Sequence, residues 1–238
     1  MPEGVRVYAI GDIHGRADLL ERLHQSIIKD ANFSEKENRV VYLGDYLDRG
    51  PCVKKAIDEV ISGLPDTFQT EYLRGNHEDL FLNFLKDAEV LGVWLDLGGH
   101  STLLNYGVQP PVAGFSPEQA EQIRQALLAS VPEKHMAFLK TLKPYTQIGN
   151  YFFTHAGIRP GIHLQQQAEE DLYWIRNDFL ESKTEHGAKI VHGHTIASRV
   201  QDCPNRIGVD TGAYATGVLT CAVLENDQVR FLSTATKK

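Results

Sequence analysis

Val5-Arg6-Val7-Tyr8-Ala9-Ile10-Gly11-Asp12-Ile13-His14-Gly15 begins as an apolar, β-branched run and ends on an Asp and a His bracketed by glycines. The run reads as a strand over Val5–Ile10. Leu19, Leu20, Leu23 and Ile27 then recur at helical spacing. The same grammar repeats downstream. Residues 39–43 read as a second strand ending at Gly44, and Pro51 suits the first position of a helix carrying Val53, Ile57, Val60 and Ile61. Residues 68–73 read as a third strand, followed by Gly75 and another helical stretch. Strands alternating with helices predict βαβ units and a parallel sheet.

From about residue 80 to 143 the pattern is mainly helical, with breaks at Gly98-Gly99 and Pro110-Pro111. Beyond it, residues 151–154, 189–191, 206–209, 217–224 and 228–232 read as short strands, with Glu225-Asn226-Asp227 as a hairpin turn. No repeat, low-complexity tract or linker interrupts the chain. The expectation is one α/β domain over residues 1–238 with a helical insertion at about 80–143.

The ionisable residues fall at the strand ends. Gly11-Asp12-Ile13-His14-Gly15 follows the first strand, Gly44-Asp45-Tyr46-Leu47-Asp48-Arg49-Gly50 the second, and Gly75-Asn76-His77-Glu78 the third. Later strands end in His155-Ala156-Gly157 and His192-Gly193-His194-Thr195. Sites in open α/β sheets lie beyond the carboxyl ends of strands, so clusters far apart in sequence are expected to converge. Asp12 and His14 share a side of an extended backbone and can reach one ion. A donor set of carboxylate, imidazole and amide, without thiolate, suits manganese, iron or zinc more than calcium or a structural zinc. The competing explanation is turn formation and helix capping, to which Asp and Asn are suited. Capping does not call for histidines at several strand ends. His192 and His194 both remain candidates on this reading, because they share a face if the segment is extended.

Taken in order, GDIHG, GDYLDRG, GNHE, HAG and HGHT resemble the phosphoprotein phosphatase family of calcineurin-like metallophosphoesterases. Trp174-Ile175-Arg176 and Val209-Asp210-Thr211-Gly212-Ala213 are similar to its bacterial and phage members, and matches run from about residue 5 to 220. The resemblance implies a four-layer α/β/β/α sandwich and two divalent transition-metal ions, manganese first, with iron or zinc as alternatives. It implies that Asp12 and His14 hold the first metal, that Asp45 bridges both, and that Asn76, His155 and His194 complete the second. Arg49 and Arg176 would clamp phosphate oxygens, and His77, oriented by Asp48, would be the general acid. The wider superfamily often carries a further histidine where Ile196 stands, and its absence is the protein-phosphatase pattern. Asp210 would orient a ligand histidine or cap a turn.

The chemistry agrees with the resemblance. Two ions about 3.5–4 Å apart activate a shared water for in-line attack on phosphorus. The planar fork of arginine matches two phosphate oxygens. A serine alkoxide leaves poorly without a proton, and a placed acid contributes about 10²–10⁴-fold. The implied activity is hydrolysis of phosphoserine and phosphothreonine esters in proteins. The alternative is hydrolysis of dinucleoside polyphosphates such as diadenosine tetraphosphate, whose enzymes resemble GDLVARG and GNHD where Asp48 and Glu78 stand here. A binding module on a degenerate scaffold is disfavoured by the intact Asp48, Arg49, His77 and Arg176.

Composition is consistent with this reading. Of 238 residues, 42% are apolar, enough for a sizeable core. With 24 basic and 31 acidic residues the formal charge is −7, which disfavours a nucleic-acid partner. Cys52, Cys203 and Cys221 follow no disulfide or zinc spacing, and Cys52 is expected as a buried, inert thiol. No secretory signal and no membrane-spanning run is visible, so a cytoplasmic monomer acting on phosphorylated protein or peptide is expected.

Overall fold

The first strand extends over the expected residues, and its alternation sorts the layers. In β1 (Val5–Ile10), Val5, Val7 and Ala9 turn to one face while Tyr8 and Ile10 turn to the other. The computed structural model describes residues 1–32 and 36–235. After β1 come α1 (Ala17–Ala31), β2 (Glu37–Tyr42), α2 (Val53–Ser62), β3 (Gln69–Tyr72) and α3 (Asn76–Phe84). The helical stretch continues with α4 (Leu91–Asp96), α5 (His100–Asn105), α6 (Pro117–Ser130) and α7 (Glu133–Thr141). Then follow β4 (Tyr145–Ile148), β5 (Tyr151–Thr154), α8 (Glu169–Trp174), α9 (Asn177–Leu180), β6 (Lys189–His192), β7 (Gln201–Asp202), β8 (Arg206–Gly208), α10 (Ala213–Thr216), β9 (Thr220–Glu225) and β10 (Gln228–Ser233).

Among the described residues two five-stranded sheets form, ordered β10-β9-β1-β2-β3 and β4-β5-β6-β8-β7. The pairs β1–β2 and β2–β3 are parallel, as are β5–β6 and β6–β8; the pairs β1–β9, β9–β10, β4–β5 and β7–β8 are antiparallel. Val7, Ala9, Val41 and Leu43 meet Phe153, Val191, Ile207 and Val209 between the sheets. On the outside of the first sheet, Tyr8, Ile10, Val40 and Tyr42 pack under Leu20, Leu23 and Ile27 of α1 and Ile57 and Val60 of α2. On the outside of the second, Phe152 and Ile190 pack under Leu172, Tyr173 and Phe179. This is the expected four-layer α/β/β/α sandwich, with an apolar seam on each of three interfaces.

Some local expectations shift. Helix α2 begins at Val53 rather than Pro51, because the Cys52 amide donates to the Gly15 carbonyl at 3.0 Å and holds residue 52 outside the helix. Cys52 is exposed, not buried, while Cys221 is buried; all three cysteines are free thiols. Strand β9 starts at Thr220, since Gly217, at φ +74°, ends α10 first. The strands β4 and β7 were not expected: Tyr145–Ile148 and Gln201–Asp202 are polar edge strands without an apolar run. The helical breaks at Gly98-Gly99 and Pro110-Pro111 fall between helices. Among the described residues, no helix is long and apolar enough to cross a membrane.

Candidate active site

All five strand-end clusters open at the same edge of the sandwich. Asp45 sits at their centre, buried, and two groups of potential metal ligands share its carboxylate. His14, Asp45 and His77 offer ligand atoms within 4.8 Å of one another, and so do Asp45, His155 and His194. His14 Nε2 lies 3.4 Å from Asp45 Oδ2, and His155 Nε2 lies 3.4 Å from Asp45 Oδ1. Asn76 joins the second group: its Oδ1 is 2.9 Å from His155 Nε2 and 3.0 Å from His194 Nδ1. Asp12 lies against the other side, where both its oxygens accept from the His194 amide at 3.1 and 3.0 Å.

The ring orientations fit a bound cation. A carbonyl can only accept, so His155 Nδ1–H donates to the Leu43 carbonyl at 2.9 Å and His14 Nδ1–H to the Leu47 carbonyl at 2.8 Å. The Nε2 lone pairs of both rings therefore face inward. His155 then turns a lone pair onto the lone pairs of Asn76 Oδ1, and His194 Nε2 is buried with no hydrogen-bond partner among the described residues. Lone pairs that converge without a hydrogen between them suit a positive ion, and the oxygen and imidazole donors suit a divalent transition metal. Burial points the same way. It pushes the Asp12 and Asp45 carboxyls well above the usual carboxylate range and lowers His14 and His194 well below the usual imidazole range. It lowers His155 to about 3. Only compensating positive charge lets two such carboxylates ionise together.

The loop after β2 holds the remaining groups. Asp45, Asp48 and Arg49 adopt positive φ of 53°, 67° and 63°. Glu78, fully buried, pins this loop to the start of α3. Its Oε2 accepts from the amides of Asp45 at 2.8 Å and Gly75 at 3.1 Å, and its Oε1 from those of Tyr46 at 2.9 Å and Leu47 at 3.1 Å. Burial pushes the Glu78 carboxyl up to about 7 against the pull of these amides. Gly75 is required here: a Cβ would stand 2.1 Å from Asp45 Oδ1.

His77 Nδ1 bonds Asp48 Oδ2 at 2.7 Å, leaving Nε2 toward Asp45 Oδ2 at 3.8 Å. Burial lowers the imidazole to about 3, with Arg49 adding to it, and raises the Asp48 carboxyl to about 7. Burial disfavours either charge alone, and the bond lets the pair hold one proton as a unit. Arg49 Nε donates to the Leu97 carbonyl at 3.3 Å, and its guanidinium carbon lies 4.8 Å above the Tyr214 ring. Arg176, exposed at the start of α9, donates to Thr195 Oγ1 at 3.3 Å and makes no ion pair among the described residues; Arg159 takes the nearby Asp171 and Asp178.

The ten singled-out residues are therefore brought to one edge. His192 is not in either ligand group. His194 turns at φ 62° just past β6, so the two histidines do not share a face; His192 packs edge-on to Phe179, 5.1 Å between centroids. Asp210 accepts from the Gly212 amide at 2.8 Å, a turn-capping role, and also raises Asp12 by its charge. Sequence reasoning missed Trp94 and Thr102, which bond Asp48, and Tyr214, which faces Arg49 and meets the His14 ring edge-on at 5.4 Å. Glu78 was recognised as part of a motif but not as the anchor of the loop.

Comparison with known proteins places the chain. It is 25% identical over 231 residues to bis(5'-nucleosyl)-tetraphosphatase PrpE (asymmetrical) of Anoxybacillus flavithermus, covering 89% of this chain and 87% of that one. It is 25% identical over 224 residues to serine/threonine-protein phosphatase 1 of Salmonella typhimurium, covering 92% of each. A solved structure provisionally called a diadenosine tetraphosphatase shares the fold, with a TM-score of 0.62 at 19% identity, over 98% of this chain and 95% of that one. The model of the calcineurin-like phosphoesterase family matches residues 5–227, from β1 through β9 and every cluster described above, and the chain belongs to that family.

Proposed function

We propose that this phosphoesterase is a serine/threonine protein phosphatase, removing phosphate from phosphorylated protein or peptide with two divalent metal ions, manganese foremost. The observation that carries the reading is the buried 2.7 Å bond between His77 and Asp48 beside the ligand groups. A proton donor held in this way is what an aliphatic alkoxide needs in order to leave; a polyphosphate leaves readily without one.

On this reading Asp12, His14, Asp45, Asn76, His155 and His194 would hold the two ions, which supply charge neutralisation and an activated water at neutral pH. Arg49 and Arg176 bind equatorial oxygens of the phosphoryl group. Arg49 is fixed for this by the Leu97 carbonyl and the Tyr214 ring, which leave both its Nη groups available. His77 Nε2 gives its proton to the departing serine or threonine oxygen, and Asp48 keeps the ring turned toward it. Arginines that read only the phosphate admit peptides of varied sequence.

The asymmetrical tetraphosphatase reading is the alternative. The similarity to PrpE supports it, as do Tyr214 and Trp174, half-buried aromatics close to His14 and His194 on which a base could stack. The test is kcat/KM for phosphoserine, phosphothreonine and phosphotyrosine peptides beside diadenosine tetraphosphate, on one manganese-loaded preparation. The phosphatase reading expects the phosphoserine and phosphothreonine peptides to lead. A clear excess for diadenosine tetraphosphate over every peptide transfers the protein to the alternative.

A further inference from the structure

We infer that Trp94 and Thr102, both from the helical insertion, are positioning residues of the reaction, fixing the Asp48 carboxylate so that His77 presents Nε2 to the leaving oxygen. The inference rests on the reading of His77 as the proton donor.

Asp48 is fully buried. Its Oδ2 accepts from His77 at 2.7 Å and from the Trp94 indole Nε1–H at 2.9 Å, and its Oδ1 accepts from the Thr102 hydroxyl. The Thr102 oxygen accepts in turn from the Asp48 amide at 3.0 Å, so its hydroxyl hydrogen is committed to the carboxylate. Both oxygens are engaged. Rotating the carboxylate would break one bond and leave a buried donor unpaired.

The clamp is itself rigid. The Trp94 ring stacks on Phe84, 5.1 Å between centroids at 29°, and meets Phe81 edge-on at 5.7 Å. Gly99 lies against the indole, where a Cβ would stand 2.7 Å from the ring. Thr102 is fully buried on α5, and its β-branch stiffens χ1. The Gly98-Gly99 break is what lets α4 and α5 come this close: Gly98, at φ +113°, passes Arg49 and accepts from its amide at 3.2 Å. An aligned carboxylate behind an imidazole fixes ring orientation and basicity, and losing such an outer partner typically costs about 10–100-fold.

A network that only satisfied buried polar groups would affect both easy and hard leaving groups equally. The discriminating experiment measures kcat and KM for a phosphoserine peptide and an aryl phosphate in Thr102→Val, Trp94→Phe, Thr102→Ser and His77→Ala, with metal content determined for each. The expected result is a fall of about 10-fold or more in kcat on the peptide for Thr102→Val and Trp94→Phe. The fall on the aryl phosphate should be clearly smaller, KM should stay within about two-fold, and metal content should be normal. Thr102→Ser, which keeps the hydroxyl, should recover most of the loss. Independently of activity, the downfield His77 Nδ1–H proton resonance, assigned by its disappearance in His77→Ala, should persist in Thr102→Ser and broaden in Thr102→Val. If Trp94→Phe does not fold, the two Thr102 variants decide. Leaving-group dependence in His77→Ala with none in either clamp variant overturns the inference alone. Equal losses on both substrates in His77→Ala overturn the acid itself, and the inference with it.

Discussion

At the carboxyl ends of β1 and β2 the chain turns through four non-glycine residues at positive φ, namely His14, Asp45, Asp48 and Arg49; at the ends of β5 and β6 only His194 does so. The first-sheet loops carry the carboxylates and His77, the proposed acid, and each strained residue costs roughly 1–3 kcal/mol that its surroundings must offset. The surroundings are extensive. Glu78 takes four loop amides, the Asp45 carbonyl accepts from Ile13 and His14 at 3.0 and 2.8 Å, and the insertion takes Asp48 and Arg49. The second-sheet loops carry imidazoles on nearly relaxed backbone, with Asp210 accepting one amide. The contrast teaches that one half of the site is built by restraint from outside the sheet, and the other largely by the strand ends themselves.

The largest expected effect follows from that contrast. Glu78→Gln supplies one acceptor oxygen where two now serve four amides, so it should lower stability by about 3 kcal/mol. Asp210→Asn keeps an acceptor for Gly212 and should cost about 1 kcal/mol or less. Urea midpoints of the two variants check the difference, and equal losses would break the comparison.

Acid should expose a weakness in the helical layer over the first sheet. His24 is buried there, its Nδ1 at 2.6 Å from Glu59 Oε1 and its Nε2 accepting from the Tyr42 hydroxyl at 2.8 Å. Burial lowers its imidazole to about 4 from 6.5, so the folded chain keeps it neutral while the unfolded chain takes up a proton below about 6.5. Stability from this group is therefore full above pH 7 and declines as pH falls toward 4, by about 2 kcal/mol at pH 5. Urea unfolding of the metal-free protein at pH 7 and pH 5 should show a smaller pH effect in His24→Gln than in the native chain.

Gly98→Ala tests how closely the insertion must approach. At φ +113°, with a Cβ only 2.8 Å from Arg49 Cγ, it should cost about 1–3 kcal/mol and raise KM by displacing the guanidinium. Tyr214→Ala should be the mildest. It removes the ring beneath Arg49 and about 0.5–1 kcal/mol of cation–π attraction, seen as a few-fold rise in KM for a phosphopeptide and a loss of stability of about 1 kcal/mol or less.

The same contrast explains what was legible in the sequence. Asp12, Asp45, His155 and His194 each follow a short, largely apolar run that forms a mostly buried strand, so their convergence was readable from pattern and chain direction, whereas Asn76 follows the polar, incompletely buried β3 and was legible through its GNHE motif. The restraints were not. Trp94, Thr102 and Tyr214 lie on short helices with no motif of their own, and they reach the site through tertiary packing across 46 to 54 residues for the two bonds to Asp48. Polar β4 and β7 went unseen because edge strands need no apolar alternation. Cys52 was misplaced because the turn before α2, tied to Gly15, lifts it to the surface.

The central claim, that strand ends of two sheets build one dinuclear metal centre around Asp45, is tested most directly by metal stoichiometry. Chelator-stripped protein should be inactive and should recover phosphatase activity as manganese rises to about two ions per chain. Asp45→Ala, folded by circular dichroism, should bind neither ion tightly, whereas a ligand change on one side, such as His14→Ala, should leave about one. Full activity in the stripped protein, or about two tightly bound ions in Asp45→Ala, would contradict the account.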